Sequence, residues 1–306
     1  MIRAGIIGFS EGNGHPFSFS AIVNGYDELA FSKAGWPVIH EYLKLQPHEN
    51  FGINGASITH AWSQNLKFTS TLCAACRIPN CCIDVDEMLG SVDALIIARD
   101  DWKSHLKLSL KFLKKGIPVF IDKPLTLDQE ELKIFTPFLY NGMLMSCSGL
   151  RNALELDPIR ELKPDIDSLK LISGTVLNGV DKYGIHLLEA VASLGNDFSC
   201  PDSIVRINAP HESFILSFKN GLPFHLNCLG EVAKTFHISF FGRSSHYYCD
   251  LLDNYNAFRR TMMQFFSMVE TKIPAIDPSQ TIRLMKILIS ASKLQQGETV
   301  HFNYSG

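Results

Sequence analysis

Short apolar runs alternate with helical patterns through the first half of the chain. The runs predict β-strands at Ile2–Gly8, Ala56–Trp62, Ala94–Ala98, Val119–Ile121 and Leu144–Cys147. Between the later strands, leucines recur at helical spacing over Lys103–Lys115, and Asp128 opens another helix with Glu131 three residues on. This alternation predicts an α/β fold with a doubly wound parallel sheet.

The second half has a different pattern, in which strand-like segments follow one another. After a helix near Ile185–Leu194 they lie at Ser203–Asn208, Ser213–Phe218, Pro223–Cys228, Thr235–Phe241 and His246–Cys249. The Asn220-Gly221 pair between two of them indicates a hairpin. We therefore predict two domains, 1–149 with the parallel sheet and 150–306 as an α+β domain with a largely antiparallel open sheet.

One segment, residues 26–55, is too long for a connection between the first helix and the second strand. It contains a predicted helix around Val38–Leu45. A surface insertion is one interpretation, and a lid or part of a substrate pocket is the other.

Composition and charge limit the classes of partner. The 306 residues are 46% hydrophobic and 19% charged, with a formal net charge of −3. No basic block indicates a nucleic-acid or membrane-surface partner, and a neutral or anionic metabolite stays open as a partner. No apolar run reaches the roughly 18 residues of a spanning helix, and the N-terminus lacks the features of a signal peptide. We expect a cytoplasmic protein.

Four of the eight cysteines cluster between Cys73 and Cys82. Their spacing admits a zinc site built from thiolates. Free, partly buried thiols in a reducing compartment are the favoured interpretation, so no metal is predicted.

The first predicted strand runs into a glycine-rich loop and then a helix. Residues 8–16 read GFSEGNGHP. Backbone N–H groups and the helix N-terminus at this place favour the pyrophosphate of a dinucleotide. The spacing departs from G-x-G-x-x-G, because Ser10 and Asn13 stand at fingerprint positions, and Gly12 and Gly14 serve only in a reshaped turn. A glycine-rich turn without a ligand is the alternative.

The second predicted strand ends at Trp62 and is followed by Ser63 and Gln64. An acid commonly stands here and accepts hydrogen bonds from the adenosine ribose. Its absence disfavours the standard NAD arrangement and leaves room for a 2′-phosphate, although no arginine is adjacent and Lys67 is the nearest cation.

Two segments carry a family resemblance. Residues 92–105 read VDALIIARDDWKSH, and residues 113–125 read LKKGIPVFIDKPL. In their order of strand, helix, glycine turn and Lys-Pro-Leu they resemble the Gfo/Idh/MocA family of NAD(P)-dependent oxidoreductases, with Asp122 in place of the usual glutamate. The resemblance implies a Rossmann-type first domain and NAD or NADP as cofactor.

The resemblance also implies site residues. Lys123 is placed beside the nicotinamide and the substrate hydroxyl, where an ammonium orients the hydroxyl and polarises the developing carbonyl. His186 matches the family histidine that opens a helix of the second domain, while the family's aspartate four residues earlier is Lys182 here and Asp181 lies one residue before. Lys182 and Tyr183 are further substrate-binding candidates. The cofactor-binding candidates are Gly8, Ser10, Gly12, Asn13, Gly14, His15, Ser63, Arg99, Asp100, His105, Asp122 and Lys123.

These residues lead to a functional hypothesis. We expect an NAD(P)-dependent dehydrogenase or reductase that acts on a secondary alcohol or ketone of a sugar or sugar derivative, including a nucleotide sugar. Lys123 and His186, with Asp181, would handle the proton, and the protein would be a homo-oligomer, dimer or tetramer. The alternative is a related scaffold that has lost cofactor binding and serves as a binding or regulatory protein.

Overall fold

The computed structural model describes residues 1–162 and 168–304, which form two compact units. The first unit contains Met1–Thr126, Lys133–Ser146 and Phe258–Pro278, and the second holds the other described residues. A single boundary near residue 149 therefore does not describe the division, because a late segment of the chain returns to the first unit.

The first unit is built on a six-stranded sheet. Its strands are β1 (Ile2–Ile7), β2 (Ala56–Trp62), β3 (Asn80–Cys81), β4 (Ala94–Ile97), β5 (Val119–Asp122) and β6 (Leu144–Cys147), in the order β3-β2-β1-β4-β5-β6. The pairs β3–β2, β2–β1, β1–β4 and β4–β5 are parallel. This confirms the predicted Rossmann-type sheet, in which the strand order reverses beside β1 and ligands bind at the carboxyl ends of the strands.

Ten α-helices lie along the part of the chain that the structure describes. They are α1 (His15–Asn24), α2 (Glu28–Ser32), α3 (Pro37–Lys44), α4 (Leu66–Ala75), α5 (His105–Lys114), α6 (Gln129–Tyr140), α7 (Asp157–Glu161), α8 (Ile185–Ala192), α9 (Asn254–Thr271) and α10 (Pro278–Ala291) among the described residues. Asp128 caps α6 as predicted, since its carboxylate accepts the N–H of Glu131 at 2.9 Å.

The second unit contains a seven-stranded sheet. Its strands are β7 (Leu169–Val176), β8 (Pro201–Arg206), β9 (Glu212–Phe218), β10 (Pro223–Cys228), β11 (Phe236–Gly242), β12 (His246–Asp250) and β13 (Thr299–His301), in the order β12-β11-β7-β10-β9-β8-β13. All neighbours are antiparallel except β7 and β10. The predicted hairpin is confirmed, since Asn220 and Gly221 both have positive φ between β9 and β10.

Residues 26–55 form helices that pack against α1. The Phe17 ring of α1 lies 5.8 Å from Phe31 and 5.9 Å from Trp36, and the hydroxyls of Ser18 and Tyr42 lie 2.5 Å apart. A side-chain carbon at Gly14 would overlap Trp36, so the segment also closes over the loop before α1. The insertion is thus a packed part of the first unit's core and not an isolated loop.

The segment from Phe258 to Pro278 belongs to the first unit because its aromatic side chains pack there. The ring of Phe258 lies 5.1 Å from Phe19, and that of Phe265 lies 5.8 Å from Phe120. Phe19, Phe120 and Phe265 are almost fully buried. Burial of such rings supplies a large apolar contribution to the stability of this core.

Candidate functional site

Arg99 joins three loops at the carboxyl edge of the first unit's sheet. It follows β4, and its Nη1 donates to the Gly8 carbonyl at 3.0 Å and to the Gln64 amide oxygen at 2.8 Å. Its Nε and Nη2 form a bidentate pair with Asp101 at 2.8 and 2.7 Å. Gly8 follows β1 and Gln64 follows β2, so one buried guanidinium fixes the loops that frame the edge.

Lys123 lies at the same edge, directly after β5. Its side chain is only 5% exposed, and its Nζ lies 3.9 Å from Oδ2 of Asp100, which follows β4. The other oxygen of Asp100 accepts the hydroxyl of Ser10 at 2.7 Å. Ser10 stands where the dinucleotide fingerprint has its second glycine, so this substitution ties the loop after β1 to the carboxylate that faces Lys123.

Asp122 and His15 form a second polar pair beside Lys123. The Nδ1 of His15 lies 2.5 Å from Oδ2 of Asp122, and the other carboxylate oxygen accepts the backbone N–H of Lys123 at 2.9 Å. Asp122 is 2% exposed, whereas the ring of His15 is partly exposed at the first residue of α1. The aspartate in place of the family glutamate therefore orients both the helix start and the lysine backbone.

His105 is fully buried below this edge. Its Nδ1 lies 3.0 Å from the Leu125 carbonyl and its Nε2 lies 3.0 Å from the Arg99 carbonyl. Burial lowers the pKa of His105 below its ordinary value, although the two carbonyls favour the cation. His105 holds the loop after β4 to the loop after β5, and thus holds Asp100 near Lys123.

The N-terminus of α1 offers buried donors to an anion. Asn13 is 5% exposed, and its Oδ1 accepts the His15 N–H at 2.8 Å. Its Nδ2 is buried and has no hydrogen-bond partner among the described residues. The first turn of α1 carries no acid, and Glu11 is exposed. A buried orphan donor at a helix N-terminus fits the pyrophosphate of a dinucleotide.

The remaining candidates on the loops differ in whether their backbone or side chain is open to a ligand. A side-chain carbon at Gly12 would meet nothing, so the backbone is open at this left-handed position, whereas Gly8 is packed against Pro16. The Ser63 hydroxyl lies 2.8 Å from the Asn65 carbonyl and 2.7 Å from the Thr69 hydroxyl, so the first turn of α4 already uses it.

In the second unit, His186 lies in the first turn of α8. Its Nδ1 lies 2.6 Å from the hydroxyl of Ser148, and its ring packs edge-on against Tyr183 and Phe236 with centroids 5.3 and 5.4 Å away. The side chain is 8% exposed. A short π-helical turn, Val180–Gly184, precedes α8 and places Tyr183 beside the histidine.

Asp181 and Lys182 lie on the exposed side of that turn. The partner of His186 Nδ1 is Ser148, and Asp181 makes no hydrogen bond to the ring in the described structure. A hydroxyl can either donate to or accept from an imidazole nitrogen, whereas a carboxylate only accepts. The proposed proton-handling role of Asp181 therefore has no direct geometric support.

A buried ion pair lies behind Ser148. Glu189 is 1% exposed and lies 2.6 Å from Nη1 of Arg151, which also donates to Gln280. Burial raises the pKa of the Glu189 carboxyl above its ordinary value, and Arg151 opposes that shift. The backbone of Ser148 also acts to lower the pKa of this carboxyl. The network fixes the segment that carries the hydroxyl partner of His186.

The sequence had identified Lys123, Asp100, Ser10, His15 and Asp122, and the structure brings these together. It had missed the roles of Ser148, Arg151 and Glu189. Ser148 immediately follows β6, and a polar residue after a buried strand is a signal that could have identified it. Its pairing with a helix 38 residues later has no signature in the sequence.

The cysteine cluster is a set of free thiols. Cys73, Cys76 and Cys82 are buried and Cys81 is exposed. Burial raises the pKa of Cys73 to about 12 and that of Cys82 to about 11. Among the described residues no group of three or more His, Cys, Asp or Glu side chains is arranged to hold a metal ion.

The family comparison agrees with this geometry. Residues 32–136 match the family model described as "Oxidoreductase family, NAD-binding Rossmann fold", named GFO_IDH_MocA. The Gfo/Idh/MocA resemblance is confirmed. The matched segment includes β2 to β5 with Arg99, Asp100 and Lys123, and the Gfo/Idh/MocA match begins after the divergent loop at Gly8–His15.

Solved structures share the fold of this chain over nearly its whole length. A myo-inositol dehydrogenase from Corynebacterium glutamicum is 12% identical and covers 100% of both chains with a TM-score of 0.73. A scyllo-inositol dehydrogenase from Lactobacillus casei, with bound NAD(H) and scyllo-inositol, is 14% identical and covers 95% of each with a TM-score of 0.71. A UDP-N-acetylglucosamine 3-dehydrogenase from Acidithiobacillus ferrooxidans is 16% identical and covers 95% of this chain and 96% of its own, with a TM-score of 0.69.

No curated protein sequence matches the chain. Among the described residues no helix is both long and apolar enough to cross a membrane. The site residues, cytoplasmic location and homo-oligomer stay predictions.

Proposed function

We propose that this protein is an NAD(P)-dependent oxidoreductase that acts on a secondary alcohol or ketone of a sugar or sugar derivative. The observation that carries the proposal is the buried Lys123 beside Asp100, at the sheet edge where α1 also begins. Burying a charged lysine costs free energy. A lysine that is only 5% exposed at the carboxyl end of a parallel strand is therefore a candidate for a functional residue.

The first unit supplies the parts that a dinucleotide needs. Asn13 at the start of α1 would hold the pyrophosphate with its unpartnered Nδ2. His15 and Asp122 orient the loop and the Lys123 backbone. The cofactor, when bound, accepts or donates the hydride. The task of Lys123 is then to hold the substrate hydroxyl and stabilise the oxygen as it becomes a carbonyl.

We propose His186, in the second unit, as a second proton-transfer residue. Ser148 holds Nδ1 at 2.6 Å and so fixes the orientation of an imidazole, the side chain whose ordinary pKa suits proton exchange near neutral pH. Tyr183 and Phe236 pack against the ring and restrict its rotation. These contacts of the imidazole lie within the second unit.

The substrate class rests on the related structures. They include inositol dehydrogenases and an enzyme named for the 3-position of UDP-N-acetylglucosamine, all of which act on ring hydroxyls by name. We infer that the substrate of this protein carries a ring hydroxyl or ketone, and that a nucleotide sugar is one such substrate. A panel of myo-inositol, scyllo-inositol and UDP-N-acetylglucosamine covers these chemistries.

A scaffold without cofactor binding is the competing function. Two observations favour it. Ser10 occupies a glycine position of the fingerprint and is bound to Asp100, and no acid follows β2. Calorimetric or fluorescence titration with NADH and NADPH separates the two functions. Saturable binding supports the oxidoreductase, and no binding of either at millimolar concentration would establish the scaffold.

Lys123→Ala is the direct test of the catalytic assignment. We expect turnover of the active panel substrate to fall by at least about 100-fold, in the range seen when a positioned acid–base group is removed. Cofactor affinity should stay within a few-fold, since residues at the start of α1 would hold the phosphates. Lys115→Ala, at an exposed lysine at the end of α5, is the matched control and should change neither quantity. Unchanged turnover of the Lys123 variant would remove this residue from the mechanism.

A further inference from the structure

A pocket of about 550 Å³ lies within the first unit, between α5 and the loops that follow β2 and β4. Its lining includes Trp62, Gln64, Arg99, Lys107, Leu108 and Lys111. The volume is within the range of small-molecule sites. Because Trp62 ends β2 and Arg99 follows β4, the pocket opens at the carboxyl edge beside β1, where the strand order reverses.

The lining of this pocket is cationic. It contains Arg99, Lys107 and Lys111 and no carboxylate. Arg99 is paired with Asp101, and Lys111 is paired with Asp86 outside the lining. Lys107 is exposed and has no side-chain partner among the described residues. Since Lys107 and Lys111 are one helical turn apart, both ammonium groups share one face of α5.

The opposite wall is flat and apolar. The Trp62 indole is held in place by its Nε1, which donates to the Ile83 carbonyl at 3.1 Å. Leu108 adds aliphatic surface from α5. An aromatic wall of this kind suits a purine ring, which stacks on it.

The acceptors that would bind a free ribose diol are missing here. No acid follows β2, and the Gln64 side chain is committed at both ends, since it donates to the Phe9 carbonyl at 3.0 Å and accepts from Arg99 at 2.8 Å. An acid after the second strand would bind the 2′-hydroxyl and repel a 2′-phosphate. Neither effect operates in this pocket.

We propose that the pocket binds the adenosine end of the cofactor in its 2′-phosphorylated form, so that the protein uses NADP(H) in preference to NAD(H). This inference rests on the proposed oxidoreductase function and names the cofactor that it uses. Lys107 is the residue that reads the phosphate, with Lys111 and Arg99 supporting it. Arg99 also keeps the Gln64 amide in place.

The test compares adenosine halves with and without the phosphate. Calorimetric titrations with 2′,5′-ADP and 5′-ADP, and with NADPH and NADH, need no substrate and no turnover. We expect each 2′-phosphorylated ligand to bind at least about 10-fold tighter than the corresponding ligand without the 2′-phosphate. The ratio should shrink as salt is added, because the phosphate interacts with an exposed lysine.

Two variants connect the preference to Lys107. Lys107→Ala should weaken the binding of 2′,5′-ADP and NADPH about 10-fold. The affinities for 5′-ADP and NADH should change less than about two-fold. Lys107→Glu should bring NADH binding level with NADPH or ahead of it. Lys103→Ala removes a neighbouring exposed lysine that lies over Trp102 and should leave the ratio unchanged.

The outcomes separate this inference from the proposed function. Equal binding of the two forms, tighter binding of NADH, or an equal loss of both forms in Lys107→Ala overturns the inference and leaves the proposed oxidoreductase function standing. Binding of none of the four ligands overturns the proposed function itself.

Discussion

At the scale of single residues, the candidate site consists of charged groups that are buried because each has a partner. Lys123 faces Asp100, Asp122 faces His15, and Arg99 holds Asp101 in a bidentate pair. Burying a charge without a partner costs several kcal/mol. The polar residues after the strands therefore form a connected set, and changing one of them leaves another uncompensated.

The proposed role of Ser148 rests on its hydrogen bond to His186, a contact that the folded structure reveals. We expect Ser148→Ala to release Nδ1 of His186 and to change the tautomer and the pH response of the imidazole. Catalysis should fall about 10-fold or more in kcat, with cofactor affinity unchanged, because the proposed proton-transfer group is no longer held in position. The primary measurement is ¹⁵N NMR of histidine side chains, in which the His186 signals report the tautomer directly.

The control for Ser148→Ala is Ser217→Ala, which removes a half-buried hydroxyl from β9 of the same unit. It should leave the His186 signals as they are. If Ser148→Ala lowers stability but leaves the imidazole tautomer and the pH profile of kcat unchanged, Ser148 has a structural role only.

At the scale of elements, the site depends on loops held in register by buried side chains. His105 at the start of α5 connects the loop after β4 with the loop after β5 through two backbone carbonyls. Arg99 connects the loops after β1, β2 and β4. The fold brings the strand ends of a parallel sheet near one another. Hydrogen bonds between the loops then fix the positions of the candidate side chains at the sheet edge.

We expect His105→Phe to destabilise the protein by about 1–3 kcal/mol, because a buried carbonyl beside the neutral ring loses its N–H donor while the ring volume is kept. Urea unfolding at pH 7 measures this. His48→Phe makes the same replacement at an exposed histidine and should cost far less. A loss as small as that of the His48 variant would show that His105 does not hold the loops.

The same histidine gives a prediction on pH. Burial lowers the pKa of His105 in the folded state, so the unfolded chain takes up this proton more readily near its ordinary pKa of about 6.5. The neutral ring therefore contributes stability at pH 7 that is lost as the pH falls below that value. The free energy of unfolding of His105→Phe should change less between pH 7 and pH 5 than that of the wild type.

At the scale of the whole molecule, two units carry separate cores and separate parts of the candidate chemistry. The first holds the sheet edge with Lys123, and the second holds His186 with the Ser148, Arg151 and Glu189 network. Each core is dominated by buried aromatic and aliphatic side chains, such as Phe120 in the first and Phe224 in the second.

The eight free cysteines give a prediction for the whole chain. Buried thiols with raised pKa values carry little thiolate at pH 8, and the thiolate is the reactive form. We expect Cys81 to be alkylated at least about 10-fold faster than Cys73, Cys76 and Cys82 in the folded protein. Peptide mass spectrometry after timed iodoacetamide labelling measures the rates.

Labelling in urea is the control for the thiol prediction, since all four cysteines should react at similar rates once the chain is unfolded. Rapid alkylation of Cys76 in the folded protein would contradict the burial described here.

The sequence by itself determined the fold class and the positions of most chemistry-bearing residues. Strands such as Ala94–Ile97 consist of apolar residues throughout, and local patterns of this strength hold in the folded protein. It also placed Ser10, Asp100 and Lys123 at strand ends, where a parallel sheet must bring them to one edge.

Tertiary structure alone decided which distant residues and segments are in contact. It joined Ser148 to His186, and it packed Trp36 of the insertion over Gly14. It also returned Phe258–Pro278 to the first unit and paired β7 with β10 in parallel. These choices depend on contacts between residues far apart in sequence, whose energies reflect shape and burial in the folded state. No local spacing of residues encodes them.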